Sequence, residues 1–580
     1  MSKKIKVLVH SNYSRLVTGF GKNMKNILLA LHDSDEFEVI EAANGVGFGN
    51  DLMTPWKSYG THPTADVLQK IKGDPAKERA ASYGYYMIDK IVEEENPDIY
   101  LGIEDIWAFS QFEKKKWWKD VKTILWTTLD SLPILDQAYH MHGVCDKMLV
   151  WATFAQKAME ENGYEGVETI HGAIDYKDYY PLPTIERNAL REKHNLSEDY
   201  VIGFVFKNQL RKSVPNILEG FRLFQESHPE LKTKLLLHTD WAEKDAGWDI
   251  EKYIVEKKIN PKDVLATYVC HKCGQFFLAP YSGEDKNCGV CGSTKSVKTK
   301  NSGKGVNENQ LNQIYNIMDV YCHPFTSGGQ ELPIQEAKSA GLITLATSYS
   351  CGLDSCSQED GGMPLDWDEY REPHTNFIKA TTRPSSISSN LHKVFRMDDE
   401  MKKHFLKNGR KCLDDRFSVD VTVEKLKTTF REVYKAEKIE VEQEEDNSLA
   451  PPELSDMLDG EIDDRILFVM PESAGDVFIA TSLLPSLKKT YPNKDIYFAT
   501  QEQFQPILKG NPYIYKVLNF HTAMENLPMM EGASNHKGYF HLCFLPHIGT
   551  QRMLDYLHQG DADKIMFDIH SENYNKQCTS

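Results

Sequence analysis

The stretch Asp319-Val320-Tyr321-Cys322-His323-Pro324 is followed by Gly328-Gly329-Gln330-Glu331-Leu332-Pro333-Ile334-Gln335-Glu336-Ala337 and then Ala340-Gly341. It reads as a buried strand, a glycine turn and a helix. Pro333 places the helix start near Leu332, because proline's missing N–H would be unpaired in a first helical turn anyway. The amides of residues 328–331 and the positive helix end suit hydroxyl or phosphate oxygens. Glu336, one turn inside, is placed to accept hydrogen bonds from a ribose diol. The plainer alternative is that Gly328-Gly329 only ends a strand and Glu336 is a surface residue.

Outward from this unit the same alternation recurs. Residues 201–206, 234–238, 264–269, 320–323 and 343–346 read as strands with helices between them. An earlier set covers 4–10, 98–103, 123–127 and 147–151, with a glycine loop Thr18-Gly19-Phe20-Gly21-Lys22 and a helical run over 23–32. Short apolar strands alternating with helices predict parallel sheets covered on both faces. The element His171-Gly172-Ala173-Ile174-Asp175, with Tyr180-Pro181, lies between the sets as a hinge. This predicts an α/β chain with one domain over 1–180 and a second over 181–416, while a helical pattern over 417–435 follows.

Composition sets the outer limits. At roughly 100–200 residues per domain, 580 residues hold about three to five domains. A hydrophobic share of 41% with 26% charged residues excludes wholesale disorder. Lys and Arg total 67 against 85 Asp and Glu, a net charge of −18. Residues 436–464 hold twelve acids and one Lys, around Pro451-Pro452, and read as a flexible linker. That segment contributes −11, so −18 − (−11) = −7 remains for the folded parts. The charge is then only a mild argument against a nucleic-acid partner. Residues 465–580 resume with a strand over 465–470 and a helix over 476–490, a third and smaller α/β unit. No run approaches the roughly 18–20 apolar residues of a membrane span. The N-terminus reads as a strand rather than a signal peptide, and the scattered cysteines suit a reducing cytoplasm, bacterial or, for a viral protein, that of the host.

Four of the eleven cysteines form Cys270-His271-Lys272-Cys273, fourteen residues, and Cys288-Gly289-Val290-Cys291. Each pair is followed by glycine (Gly274, Gly292), which lets backbone amides turn toward the sulfurs. Two such knuckles can place four thiolates around one structural Zn²⁺ in a ribbon over 266–304; the alternative is four unrelated buried cysteines. The ribbon carries six Lys and two acids, a mild basic bias that more often marks a solvated face than a nucleic-acid site.

Taken in order, these motifs make residues 1–435 resemble a family-4 retaining glycosyltransferase of the GT-B fold, two facing Rossmann-like domains. That family carries a segment of the form E-G-x-G-x-P-x-x-E-A, matched by residues 328–337. The 18–22 loop resembles its N-terminal glycine loop, the 171–181 element its interdomain segment, and residues 417–435 its closing helix. Phe206-Lys207-Asn208-Gln209-Leu210-Arg211-Lys212 resembles the basic turn that holds the donor pyrophosphate. The resemblance implies a nucleotide-diphosphate sugar donor, UDP- or GDP-linked. It gives Lys207 and Lys212, with the Gly19 and Gly21 amides, to the diphosphate. Glu336 goes to the ribose, and Gly329 and Gln330 to the sugar. The family's first motif glutamate aligns with Gly328, leaving Gln330-Glu331 as the nearby polar groups. Glu331 and Lys212 are therefore carried as catalytic candidates, with Asp130, after the strand at 123–127, for acceptor positioning or proton removal. Asp130 read as a simple turn cap is the alternative. His140 and His142 lie close by in a helical run and read as surface groups.

Residues 465–580 carry a separate likeness, to the N-terminal half of a family-9 heptosyltransferase. It rests on Ser473-Ala474-Gly475-Asp476-Val477, Tyr491-Pro492 and Gly510-Asn511-Pro512-Tyr513. With no room for that family's nucleotide-sugar half, an accessory, docking or self-association role is implied. The acceptor stays open: a cell-surface glycan, or, as in phage-type enzymes, a hydroxymethylated DNA base held with help from Lys295, Lys298 and Lys300. A non-catalytic scaffold is the third reading.

Overall fold

A computed structural model describes residues 3–299, 305–440, 458–471, 473–525, 527–532 and 538–546. The chain divides into two compact units, 1–446 and 447–580. The first unit opens with seven strands: β1 (Ile5–Asn12), β2 (Phe37–Gly47), β3 (Lys57–His62), β4 (Ile99–Gly102), β5 (Lys122–Thr127), β6 (Lys147–Val150) and β7 (Glu168–Thr169). They form one parallel sheet in the order β3-β2-β1-β4-β5-β6-β7. Val7, Leu8 and Val9 are wholly buried, as strands covered on both faces require. The glycine stretch expected as a loop is instead the first turn of the helix Gly19–His32. Thr18 caps it, its Oγ1 accepting from the Gly21 amide at 3.0 Å.

The second half of the unit holds β8 (Tyr200–Val205), β9 (Thr233–His238), β10 (Val264–Cys270), β11 (Phe276–Pro280), β12 (Val297–Lys298), β13 (Val320–His323), β14 (Thr344–Thr347) and β15 (Gly362–Leu365). Their order is β11-β10-β9-β8-β13-β14-β15, with β12 also on β10. β11 and β12 run antiparallel to β10, and the main path is otherwise parallel. Strand order reverses between β8 and β13, and in such sheets the loops at the C-terminal strand ends there line a ligand crevice. A hairpin, β16 (Trp367–Arg371) and β17 (Ile378–Thr382), reaches the first half, where the Ile378 amide donates to Leu132 O at 2.6 Å.

The helix Val419–Lys435 crosses back to the first sheet, capped by Ser418. Its apolar stripe, Val423, Leu426, Phe430 and Val433, joins the core around Ile27 and Phe37. The segment read as a linker is anchored at both ends. Lys438 Nζ donates to Thr123 Oγ1 at 3.1 Å, and the Asp459 amide to Tyr497 Oη at 3.1 Å. Residues 441–457 lie outside the described residues.

The second unit holds β18 (Arg465–Val469), β19 (Asp495–Thr500), β20 (Lys516–Asn519) and β21 (Leu542–Phe544), parallel in the order β20-β19-β18-β21. Asp476 sits in the first turn of the helix Ala474–Ala480, its Oδ2 accepting from Ser473 Oγ at 2.8 Å. Residues 547–580 of this unit lie outside the described residues. Among the described residues no helix is long and apolar enough to cross a membrane.

Candidate active site

The glycine turn after β13 lies over a buried charge cluster. Glu331, 3% exposed, accepts from Arg211 and Lys212 and, at 3.0 Å, from His323 Nε2. Burial pushes its carboxyl up, but the Arg211 and Lys212 charges hold it well below the usual carboxylate range. Burial, then the adjacent Arg211, pulls the Lys212 ammonium down to about 8 against the pull of Glu331. Burial also lowers His323 to about 4, so it is neutral. Its Nε2–H is directed to the carboxylate, with Tyr321 Oη 2.7 Å from Nδ1.

The Glu331 carboxylate lies against Gly328. A Cβ built on Gly328 would lie 2.6 Å from Glu331 Oε1, so a carboxylate already fills the space where a side chain there would begin. The turn is also pressed against the first half: a Cβ on Gly329 would stand 2.3 Å from Thr128 Cβ. Gln330 has its side chain engaged with the hinge, its Nε2 donating to Gly172 O at 3.0 Å and its Oε1 accepting from the Gly172 amide at 2.6 Å.

Glu336, in the helix Leu332–Ser339, is 2% exposed and not the surface residue of the plainer reading. Lys22 Nζ donates to its Oε1 at 2.7 Å, and Tyr315 Oη to its Oε2 at 2.7 Å. Lys22 also reaches Tyr179 Oη at 2.9 Å. The carboxylate thus joins both halves of the unit. Lys22 also lines a cavity of about 480 Å³ between the Gly19–His32 helix and the start of the helix Glu308–Ile317, with Arg15, Lys25, Asn307, Glu308 and Leu311. His238, at the end of β9, is 5% exposed and its Nδ1 has no hydrogen-bond partner. Lys207 is exposed, and the Gly21 amide is taken by the Thr18 cap. Of the expected basic pair it is Lys212, joined by Arg211, that enters the cluster.

On the facing side Asp130 is tied to the second half. Its Oδ2 accepts from Ser327 Oγ at 3.2 Å, its carbonyl from Ser350 Oγ at 2.7 Å, and Lys379 Nζ lies 3.9 Å from Oδ1. Lys379 itself donates to Ser131 Oγ and Ser327 Oγ, both at 2.7 Å. A smaller cavity of about 230 Å³ opens here, lined in part by Asp105, Trp107, Asp130, Glu372, Phe377 and Lys379. Burial pushes the Asp105 carboxyl up, and raises the neighbouring Glu104 to about 8. His140 stands exposed on the helix Asp136–Val144, 3.3 Å from Glu113 Oε1, and His142 bonds the Glu165 carbonyl at 2.9 Å.

Sequence reading missed Arg211, His323, Asp105 and Lys22 as site members. The signal for His323 and Asp105 was position: both stand at or just past the C-terminal end of a crevice strand. For Lys22 there was none, since its partner is 314 residues away.

The four cysteines of the ribbon converge, with their sulfurs all within 4.8 Å of one another. Gly274 and Gly292 take left-handed φ values of 73° and 70°, and each donates its amide to the carbonyl of the cysteine that opens its knuckle, at 2.8 and 3.0 Å. A four-cysteine group so arranged can hold a metal ion. Lys298 pairs with Asp285 at 2.9 Å and Lys286 lies 3.7 Å over the Tyr268 ring, while Lys300 is outside the described residues.

No protein-family model matches the chain, and no curated protein matches its sequence. Solved structures do match in fold. Over 75% of its length the chain is similar to the whole of a sucrose-phosphate synthase from Thermosynechococcus elongatus, at 12% identity and a TM-score of 0.53. It is also similar over 75% to the whole of a glycosyltransferase from Rickettsia africae, at 13% identity and a TM-score of 0.51. Over 74% it is similar to the whole of HepE from Anabaena, solved in complex with UDP-glucose, at 12% identity and a TM-score of 0.50. The chain therefore has the GT-B fold, two facing Rossmann-like halves with the crevice of Glu331 and Glu336 between them.

Proposed function

We propose that the chain transfers a sugar from a nucleotide-diphosphate donor to a hydroxyl of a glycan acceptor, with retention at the anomeric carbon. One observation carries the reading: two cations and a carboxylate are gathered beneath a glycine turn and a helix start at the point where strand order reverses. Charge develops on the departing diphosphate, and cations already held in a dry site stabilise it without reorganising. Lys212 and Arg211 take that role, with Lys207 at the entrance. Glu336 receives the ribose hydroxyls in exchange for Lys22, and the 480 Å³ cavity that Lys22 lines takes the base. Glu331 and the amides of Gly329 and Gln330 orient the sugar. The UDP-glucose held by the Anabaena neighbour supports a donor of this class.

The acceptor enters the 230 Å³ cavity, where Asp130 positions its hydroxyl. Three carboxylates face one lysine there, and that lysine already serves two serine hydroxyls. Such a wall suits sugar hydroxyls better than a phosphodiester chain. In the ribbon, Lys298 is already paired with Asp285. A scaffold without activity is disfavoured by Glu331, which restores a carboxylate beside Gly328.

Zn²⁺ is the metal this reading gives the cysteines. A Zn–S distance of about 2.3 Å makes the edge of a tetrahedron about 3.8 Å. Cys270 and Cys291 sulfurs lie 3.7 Å apart, as do those of Cys273 and Cys288. Four protein ligands leave no position for substrate, so the ion is structural.

Incubation with UDP- and GDP-sugars, with product detection by mass spectrometry, tests the function. Release of UDP or GDP that survives Glu336→Ala and Lys212→Ala unchanged would place the chemistry elsewhere.

A further inference from the structure

The ribbon is inserted between β10 and the helix Glu308–Ile317, and its contacts run toward both the 480 Å³ cavity and the basic turn. Gln310 Nε2 donates to the carbonyl of Gly274, the residue after Cys273, at 2.6 Å. The same helix begins with Asn307, Glu308 and Leu311, which line the 480 Å³ cavity, and carries Tyr315, which holds Glu336 Oε2 at 2.7 Å. One rigid element thus links a cysteine knuckle to the cavity wall and to the candidate ribose carboxylate.

The basic turn is tied to the ribbon as well. Thr299, just past β12, accepts from the Trp241 amide at 3.1 Å, and Tyr281 stacks on the Trp241 ring at 4.9 Å. Beyond Trp241 the chain closes on Asn208, in the basic turn. Asn208 Nδ2 donates to Trp248 O at 3.0 Å, and its Oδ1 accepts from the Trp248 amide at 2.9 Å. Gly247 passes so close that a Cβ there would stand 2.5 Å from the Asn208 side chain. The chain therefore leads from the ribbon to the turn bearing Lys207, Arg211 and Lys212.

We propose that the zinc ribbon is a brace for the nucleotide pocket, so that metal occupancy sets donor affinity through Gln310 and Trp241. This rests on the donor reading above. Its physical basis is that one ion gathering four thiolates fixes the two knuckles against each other, and with them the groups they carry. Without zinc the Gly274 carbonyl and Thr299 lose fixed positions, and the helix and basic turn they hold loosen with them.

The test uses the full chain, as purified and after zinc removal by a thiol-blocking agent that is then reversed with reductant and chelator. Elemental analysis should give one zinc per chain. Hydrogen exchange in residues 308–317 should quicken at least tenfold on zinc removal, while β1 and β5 of the first sheet stay protected. UDP or GDP binding by calorimetry should weaken at least tenfold, and ZnCl₂ should restore it. Gln310→Ala keeps all four cysteines and guards against unfolding of the zinc-free protein. It should retain full zinc yet weaken nucleotide binding about threefold; because Gln310 Oε1 also caps the helix by accepting from the Asn307 amide, exchange over 308–317 is read on zinc removal alone. Absence of zinc uptake, or unchanged exchange over 308–317 on zinc removal, overturns the brace. Faster exchange over 308–317 on zinc removal, in a chain that binds neither nucleotide even when zinc-loaded, would uphold the ribbon's hold on that helix and sink the donor reading instead.

Discussion

Lys22 Nζ, from the first half of the GT-B unit, lies 2.7 Å from Glu336 Oε1 in the second. Lys22 is 18% exposed and Glu336 only 2%, so the pair sits at the buried seam of the crevice. A hydrogen bond to a charged group contributes about 1.5–3 kcal/mol, and each 1.4 kcal/mol is about tenfold in affinity. Glu336→Ala should therefore weaken UDP or GDP binding roughly 10- to 100-fold, read by calorimetry. Lys22→Ala releases the carboxylate, and nucleotide affinity should hold or rise; a fall matching that of Glu336→Ala would mean that Lys22 itself grips the nucleotide.

Lys212 predicts an alkaline limb. Its ammonium loses its proton near pH 8, where an ordinary lysine holds it to about 10.4. The cation proposed for the diphosphate is present below that pH and lost above it. Nucleotide affinity should fall as pH rises through about 8, and Lys212→Arg, charged throughout, should abolish that fall even if its geometry weakens binding.

Glu104 makes a stability prediction of the opposite kind. Burial lifts its carboxyl to about 8, whereas the unfolded chain ionises it near pH 4.3. Between those values the folded state binds the extra proton, so its contribution to stability declines as pH rises. Glu104→Gln, a neutral side chain that can still accept from Asn44, should remove that decline. Thermal unfolding at pH 5 and pH 8 should show the variant gaining on the parent only at the higher pH.

Gly329 separates closure from binding. With only 2.3 Å between an added Cβ and Thr128 Cβ, Gly329→Ala must push the halves apart. Sugar transfer should drop at least tenfold by the measure of kcat while nucleotide affinity changes less. Thr128→Gly in the same chain should restore transfer. Failure of that rescue would remove the Thr128 contact as the cause.

Much of the fold was legible because its strands are short apolar runs flanked by helices, as at residues 4–10 and 320–323. β2 was not, since Glu41 and Asn44 break its apolar run. Glu41 is wholly buried all the same, because its carboxylate accepts from the Ser14 amide at 2.7 Å, Trp56 Nε1 at 2.8 Å and Ser58 Oγ at 2.9 Å. None of those partners is a local neighbour. The glycine stretch at 18–22 misled in the other direction: Gly21 is there because Leu16 O would stand 2.3 Å from a Cβ, not because the backbone needs a loop.

The sequence by itself determined the alternation of strand and helix, the helix start at Leu332 and the spacing of the four cysteines. These depend on periodicity, proline and glycine chemistry and short-range ligand geometry, all local properties. Only the tertiary structure decided that the Glu331 carboxylate lies against Gly328, that Arg211 joins Lys212, and that Lys22 finds Glu336. Glu331, Lys212 and Glu336 are charges brought out of water, and a buried charge is tolerable only beside a partner that the folding of distant segments supplies.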